Sequence, residues 1–185
     1  MKALSQWFER LSTGWMVLAA MIAFFLFMIF VLPGQSALAE ETAAGAGSPD
    51  TTFFYSRQDL YAMADSYGED GRSAYIRARF QFDLIFPLVY GAFLITSVSW
   101  LAGRAFSAGS GWRMLNLIPL ASVSFDFLEN ITASLVMARF PLPTPGLDSL
   151  APVFSICKWL ALGLAFGLLL VLPVRLWLLR ARRKV

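Results

Sequence analysis

The chain of 185 residues contains no histidine and one cysteine, Cys157. Without imidazole it has no histidine metal ligand, no histidine-held haem, no histidine-assisted serine or cysteine nucleophile and no histidine proton switch. A single cysteine closes no disulfide within the chain, and the apolar neighbours of Cys157 are typical of an inert thiol. We therefore expect no metal site and no cofactor, and a non-catalytic role is favoured.

Charged residues are also scarce, at 15% of the chain, whereas 58% of its residues are hydrophobic. Soluble globular domains are about 45 to 50% apolar, so this composition indicates an integral membrane protein. The net charge of +3 is modest, and the basic residues are concentrated near the C-terminus. That distribution is suited to lipid headgroups, so we expect membrane lipids as partners and no nucleic acid.

Four apolar segments predict four membrane-spanning helices. The first contains an unbroken run of 18 apolar residues, from Trp15 to Leu32. At a rise of about 1.5 Å per residue such a run crosses most of a hydrocarbon core about 30 Å thick. The predicted spans are residues 14–33, 80–103, 113–138 and 149–179. The expected fold is all-α, a four-helix transmembrane bundle in a single membrane domain.

Basic residues predict the orientation of these spans. They occur at the N-terminus, in the loop between the second and third spans, and in the C-terminal tail, as Lys2, Arg10, Arg104, Arg113, Arg175, Arg180, Arg182, Arg183 and Lys184. By the positive-inside rule both termini are then cytoplasmic, in a multi-pass protein of the bacterial cytoplasmic (inner) membrane. The segment from 34 to 79 is predicted to face outward as a loop and cap.

One alternative concerns the first span. Residues 36–39, Ser-Ala-Leu-Ala, resemble the small-residue site cleaved by signal peptidase. The apolar run before them is longer than the usual signal core of about 7 to 15 residues, which favours a retained span. Cleavage would leave three spans without moving the C-terminus.

The outward segment is predicted to contain a short amphipathic helix. Residues 43–49 are small and Gly-rich and indicate a loop, whereas Ser56 followed by Asp59 resembles a helix cap. A helix is expected from Arg57 to about Tyr67, with Gly68 and Gly71 at its end. Its apolar face would lie on the bundle or the lipid interface, and it comprises Leu60, Met63, Ala64 and Tyr67.

Three arginines are expected at headgroup level. Helix is predicted to restart at Arg72 and to run past Arg79 into the second span, while Arg139 ends the third span. Long basic side chains near span ends usually extend toward the headgroups. We therefore interpret Arg72, Arg79 and Arg139 as interfacial anchors in preference to ligand contacts.

Charged residues inside the third and fourth spans are the strongest functional lead. A charge at the centre of a membrane helix costs roughly 2.5 to 3.5 kcal/mol, so it must meet a partner, water or a ligand. Asp126, Glu129 and Asn130 stand at positions i, i+3 and i+4 and share one helical face. Lys158 on the fourth span is placed at a similar depth. We expect these four side chains to meet within the bundle.

The second span adds Asp83 and Tyr90, separated by Pro87, on one face. A proline inside a helix leaves the carbonyl of residue i−4 without its donor, and here that carbonyl belongs to Asp83. Three carboxylates then surround one buried amine, that of Lys158. This excess indicates a bound proton or cation, because desolvation and neighbouring negative charge favour the protonated acid. The alternative is that the polar residues only fix helix register.

Gly163 and Gly167 form a GxxxG pair on the fourth span. Such pairs let membrane helices approach closely. They predict a contact with a membrane-protein partner or with a second copy of the chain.

The polar pattern as a whole resembles an uncharacterised family of small bacterial four-span membrane proteins. The residues that carry the resemblance lie between positions 55 and 159, as Gly71, Arg72, Tyr75, Asp83, Phe86, Pro87, Tyr90, Asp126, Glu129, Asn130 and Lys158. The resemblance implies the four-span topology and no activity.

The leading hypothesis is a polar site open to the outer side that binds or transfers a small molecule, a lipid headgroup or a proton. Its predicted residues are Asp83, Tyr90, Asp126, Glu129, Asn130 and Lys158. The alternative is a non-catalytic subunit or assembly factor of a larger membrane complex, in which the polar cluster serves helix packing. A membrane enzyme using the carboxylates as acid and base is a third possibility, which no nucleophile or metal motif favours.

Overall fold

The computed structural model describes residues 1–43 and 45–182, and in these ranges all regular structure is helical. The six α-helices are α1 (Lys2–Leu11), α2 (Gly14–Phe30), α3 (Leu32–Ala43), α4 (Arg57–Ala105), α5 (Ile118–Arg139) and α6 (Leu147–Arg182). Two short 3-10 segments cover Pro49–Thr51 and Gly111–Leu117. The predicted all-α class is confirmed. Arg183 and Lys184, which contributed to the predicted orientation, lie outside the described residues.

Three or four helical stretches are long and apolar enough to cross a membrane. Among the described residues these are α4, the stretch Gly111–Arg139, α6 and, if taken as one bent span, α1 with α2. The bend between α1 and α2 is 86°. The 17 residues of α2 alone extend about 26 Å at a rise of about 1.5 Å per residue. The chain is therefore a candidate multi-pass membrane protein.

The centre of the bundle is formed by α4, α5 and α6, which pack on one another, while α2 packs mainly against α4. Aromatic rings join these two helices. The ring centroids of Phe24 and Phe93 are 4.9 Å apart, and those of Phe27 and Phe86 are 5.6 Å apart. The first predicted span is thus peripheral to α4, α5 and α6, the three helices that carry the predicted site residues.

α1 and the C-terminal part of α6 are at one end of the bundle. Ser5 of α1 donates a hydrogen bond of 3.4 Å to the carbonyl of Arg113, whose Nη1 lies 2.7 Å from Oε2 of Glu9. Arg175 of α6 donates from Nε to the carbonyl of Ala105, at 3.2 Å. We call this end, where α4 finishes, the tail end, and the opposite end, where α4 begins, the cap end.

α4 is interrupted at Gly68, whose φ of 63° and ψ of −176° are not helical. A positive φ favours glycine, which has no Cβ to clash. The part of α4 before this break, residues 57–67, is here called the cap helix. It begins with a capping box, in which Asp59 N donates to Ser56 Oγ at 3.2 Å and Ser56 N donates to the Asp59 carboxylate at 2.8 Å. The predicted cap helix is confirmed, and Gly71 lies within the helix that follows.

The apolar face of the cap helix lies on the bundle. Its residues Leu60, Met63, Ala64 and Tyr67 are buried with Ala133, Val136, Met137 and Ala151 of α5 and α6. Close to the break, Arg72 Nη1 donates a hydrogen bond of 2.9 Å to the carbonyl of Ala64. Its guanidinium also lies 4.8 Å from the ring centroid of Phe140. Arg72 therefore satisfies a carbonyl near a helix end, where intrahelical donors run out.

The structure differs from the sequence prediction at the beginning of the outward segment. We predicted a loop and cap over residues 34–79, with the first helix of that segment beginning at Arg57, but α3 covers Leu32–Ala43. Its proline, Pro33, is in the first turn, where a missing N–H removes no helical hydrogen bond, and the following alanines favour helix. The loop predicted for 43–49 includes Ala44, which lies outside the described residues. Beyond it Gly45 and Gly47 have φ values of 84° and 75°.

Candidate functional site

A buried ion pair joins α5 and α6. Lys158 Nζ lies 2.5 Å from Oε2 of Glu129 and 4.0 Å from Oδ1 of Asp126. Glu129 is 0% exposed and Lys158 is 4% exposed. The i, i+3 spacing of the two acids places both carboxylates on the face of α5 that meets α6. The structure thus brings together three residues that the sequence analysis selected.

Asp126 also receives two hydrogen bonds. The hydroxyl of Tyr90 on α4 donates to Oδ2 at 2.8 Å, and Asn130 Nδ2 donates to Oδ1 at 3.2 Å. Hydrogen bonds to a carboxylate are stronger than those between neutral groups. Tyr90 and Asn130, both predicted as site residues, therefore complete the surroundings of Asp126 from two different helices.

Glu129 is bound on its other oxygen by Tyr55, which lies immediately before the cap helix. The hydroxyl of Tyr55 donates to Oε1 at 3.1 Å, and both side chains are fully buried. Burial raises the pKa of the Tyr55 hydroxyl, and the neighbouring Glu129 raises it further. Tyr55 therefore stays protonated and acts as a donor. The cap contributes directly to the polar network.

Sequence reasoning missed Tyr55, although one signal was present. Tyr55 precedes the cap residue Ser56, and Leu60 stands four positions after that cap. Apolar residues at these two positions often pack together at a helix start. Both are buried in the same cluster here. The pattern predicts burial of Tyr55, but it does not identify Glu129 as its partner.

A cavity of about 230 Å³ opens beside Tyr55 at the cap end. Its lining includes Thr52, Asp59 and Met63 as well as the ring of Tyr55. Tyr55 therefore contacts both the cavity and Glu129. Ser155 Oγ of α6 donates to the carbonyl of Thr52 at 3.4 Å.

A second ion-paired group is centred on Arg79. Its Nε lies 2.8 Å from Oδ2 of Asp83, and its Nη1 contacts the carboxylate of Asp50. The guanidinium also lies 4.6 Å from the ring centroid of Tyr75. We predicted Arg79 as an interfacial anchor, but its side chain turns inward and is 7% exposed. It does so because Asp83, one turn later on α4, attracts it.

Asp83 accordingly pairs with Arg79, and no described contact joins it directly to Lys158. The predicted inward face of α4 is otherwise present, since Asp83, Pro87 and Tyr90 are all buried. Pro87 lies inside the helix, so the carbonyl of Asp83 lacks its intrahelical donor. Asp50, in the 3-10 segment Pro49–Thr51, is a further acid that sequence reasoning did not select.

The remaining predicted residues lie outside this network. Arg139 is exposed at the last residue of α5. Gly163 is exposed and Gly167 is half-buried, and a Cβ built on either meets no atom within 4 Å. The GxxxG pair therefore faces away from the bundle.

Acids outnumber bases in the two groups together. Four carboxylates, of Asp50, Asp83, Asp126 and Glu129, face two cations, Arg79 and Lys158. With every group ionised the formal charge is −2. Within residues 1–43 and 45–182, no three His, Cys, Asp or Glu side chains are arranged to hold a metal ion.

Comparisons with known protein families, curated proteins and solved structures find no match to this chain. The resemblance to small bacterial four-span proteins therefore stays a prediction.

Proposed function

We propose that this chain is a multi-pass protein of the bacterial cytoplasmic membrane whose buried network reversibly binds a proton. The observation that carries the proposal is the excess of two carboxylates over cations. Uncompensated charge is costly in a low-dielectric interior. A bound proton neutralises one carboxylate and needs no additional volume. A proton is favoured over a small molecule or lipid headgroup because the carboxylates, amine and hydroxyls already contact one another.

The proposed route begins at the cap end. The cavity beside Tyr55 is open, and Tyr55 is bonded to Glu129. The ammonium group of Lys158 lies between the carboxylates of Glu129 and Asp126 and connects them. Tyr90 and Asn130 donate hydrogen bonds to Asp126. Toward the tail end, Leu94, Val98, Ala102 and Leu172 are buried, and so are the polar side chains of Ser97, Ser99 and Asn116. The cavity and the contacts that follow it support proton exchange from the cap end.

The basic residues at the tail end support a cytoplasmic placement for that end. Arg104, Arg113 and Arg175 all lie near the end of α4, and cytoplasmic loops of membrane proteins are enriched in Lys and Arg. The cap end then faces the outer side. Under this orientation the network takes up its proton from outside the cytoplasm.

Infrared spectroscopy of the purified protein in neutral detergent tests the proposal, since a protonated carboxyl absorbs apart from a carboxylate. We expect a carboxyl band that changes with pH and is lost in Glu129→Gln or Asp126→Asn. The matched control is Asp65→Asn, which alters an exposed acid of the cap helix. A spectrum in which Glu129→Gln, Asp126→Asn and Asp65→Asn all retain the parental pH response contradicts proton binding by the network.

The second candidate is a non-catalytic subunit or assembly factor that docks through α6. It is favoured by the outward-facing Gly163 and Gly167, which have open space around them. Under this reading, Asp126→Asn with Lys158→Met leaves association with a partner intact, whereas leucine at both glycines abolishes it. A chain that stays monodisperse and co-purifies with no other protein contradicts the subunit role.

A further inference from the structure

The tail end of the bundle carries a cavity of about 530 Å³ that is separate from the buried network. Two arginines line it, Arg104 near the end of α4 and Arg175 on α6. Ser107 and Trp112, from the connection to α5, form part of its wall. Among the described residues no carboxylate lines the cavity, so its charge is positive.

Both guanidinium groups are held in place. Arg104 lies 3.8 Å from the ring centroid of Trp100 and donates from Nη1 to the carbonyl of that residue at 3.0 Å. Arg175 lies 4.6 Å from the ring centroid of Phe106 and donates from Nε to the carbonyl of Ala105 at 3.2 Å. A guanidinium has five N–H donors. In the described part of the chain neither arginine is paired with an acid, so donors remain for an anion.

The cavity lies at the level expected of lipid headgroups. Arg175 is bonded to Ala105, the last residue of α4, so the two arginines mark the end of a candidate span. Trp112 at the cavity is 64% exposed, and exposed tryptophan is typical of the membrane interface. Along α6 toward the centre of the span, Val171 and Leu164 stand four and eleven residues before Arg175. These positions share its face, and both side chains are exposed.

We propose that this cavity binds the phosphate group of an anionic phospholipid. Arg104 and Arg175 donate to the phosphate oxygens, as guanidinium groups do in many phosphate sites. The acyl chains lie along the apolar strip that includes Val171 and Leu164. Inorganic phosphate shares the headgroup chemistry but has no acyl chain to contact the apolar strip, so the lipid binds more tightly.

Titration of the purified full chain in neutral detergent tests this site, with native mass spectrometry and tryptophan fluorescence as readouts. The probes are phosphatidylglycerol, zwitterionic phosphatidylcholine and inorganic phosphate. We expect phosphatidylglycerol to bind most tightly. The double variant R104Q/R175Q should bind it roughly tenfold or more weakly, because hydrogen bonds to charged groups contribute strongly. The control R180Q/R182Q removes the same charge from exposed positions of α6 outside the cavity and should retain binding.

A second variant distinguishes loss of the site from loss of folding, because R104Q/R175Q also removes the hydrogen bond from Arg175 to the carbonyl of Ala105. Ser107 is exposed at the cavity, and S107E adds a carboxylate beside both arginines without removing either. Weaker phosphatidylglycerol binding by S107E, with unchanged helical circular dichroism, supports the site. Equal loss in R180Q/R182Q overturns it in favour of unspecific charge attraction. Equal affinity for inorganic phosphate overturns the lipid as the occupant.

Discussion

The hydroxyl of Tyr55 donates a 3.1 Å hydrogen bond to Oε1 of Glu129, across 74 positions of the chain. This bond attaches the entry of the cap helix to the charged centre of the bundle. Tyr67, at the other end of the cap helix, donates to the carbonyl of Gly47 at 2.6 Å. The cap helix is thus bonded to the buried network at its first end and to the preceding loop at its other end.

We predict that Tyr55→Phe lowers the free energy of unfolding by about 1 to 3 kcal/mol, since Oε1 of Glu129 would remain buried without its donor. Denaturant unfolding in detergent micelles measures the change. Tyr75→Phe is the matched control, because Tyr75 is also buried and its hydroxyl has no hydrogen-bond partner among the described residues. The control should be neutral or stabilising. Equal losses at Tyr55 and Tyr75 would mean that the bond to Glu129 contributes nothing.

The capping box predicts a pH dependence of the cap helix. Hydrogen bonds from the backbone N–H and the hydroxyl of Ser56 lower the pKa of Asp59 below its ordinary value of 3.8. Because the folded pKa is the lower one, the stabilisation is fully present above pH 3.8 and is lost as the pH falls through the folded pKa. Ser56→Ala should weaken the cap helix by about 1 kcal/mol at neutral pH.

Amide hydrogen exchange of residues 57–67 measures the effect of Ser56→Ala. We expect faster exchange in the variant at neutral pH, and a difference from the parent that shrinks in acid once Asp59 is protonated. Ser66→Ala, an exposed serine of the same helix, should leave exchange unchanged. A difference that persists undiminished in acid would show that Asp59 takes no part in the cap.

Gly91 is a point of close approach between α4 and α5. A Cβ built on Gly91 would lie 2.6 Å from Cγ2 of Val123. We predict that Gly91→Ala destabilises the bundle by about 1 to 3 kcal/mol through overpacking. Gly103→Ala is the control, because a Cβ there meets nothing within 4 Å and alanine favours helix by about 0.5 to 1 kcal/mol. The midpoint of thermal unfolding should fall in Gly91→Ala and rise in Gly103→Ala. Adding Val123→Ala to Gly91→Ala should restore part of the lost stability, because it removes the crowded methyl group.

The spans and the core of the site were predictable from sequence because the membrane makes charge expensive. Asp126, Glu129 and Lys158 stand out within apolar segments, and the regular geometry of a helix places the two acids on one face. Their contact requires only that α5 and α6 be neighbours. This part of the network follows from local rules.

The contributions of the cap were not predictable in the same way. Tyr55 and Asp50 lie in the connection before the cap helix, where neither residue type is unusual. Their partners depend on how the turn at Gly68 directs the cap helix back onto the bundle, which is a tertiary property. Arg79 was assigned to the interface although Asp83, four residues later on the same helix, was a local candidate partner. Only its second partner, Asp50, depends on that same fold.

The ammonium group of Lys158 lies at different distances from Glu129 and Asp126, which predicts that its coupling energies to the two acids are unequal. Its ammonium group lies 2.5 Å from Glu129 and 4.0 Å from Asp126. Lys158→Met leaves both acids near an empty site and should cost about 3 to 5 kcal/mol, as removal of one partner from a buried ion pair does. Adding Glu129→Gln should recover more of this loss than adding Asp126→Asn.

Double-mutant cycles by denaturant unfolding measure both couplings. The cycle of Lys158 with Glu129 should give the larger energy, within the range of about 0.5 to 3 kcal/mol usual for contacting residues. The cycle of Lys158→Met with Asp148→Asn is the reference and should be additive. Asp148 is also buried, but its partners are Tyr61 and Ser149. A cycle in which Asp126 couples to Lys158 as strongly as Glu129 does would mean that the ammonium group is shared equally. The proton would then be expected on either acid.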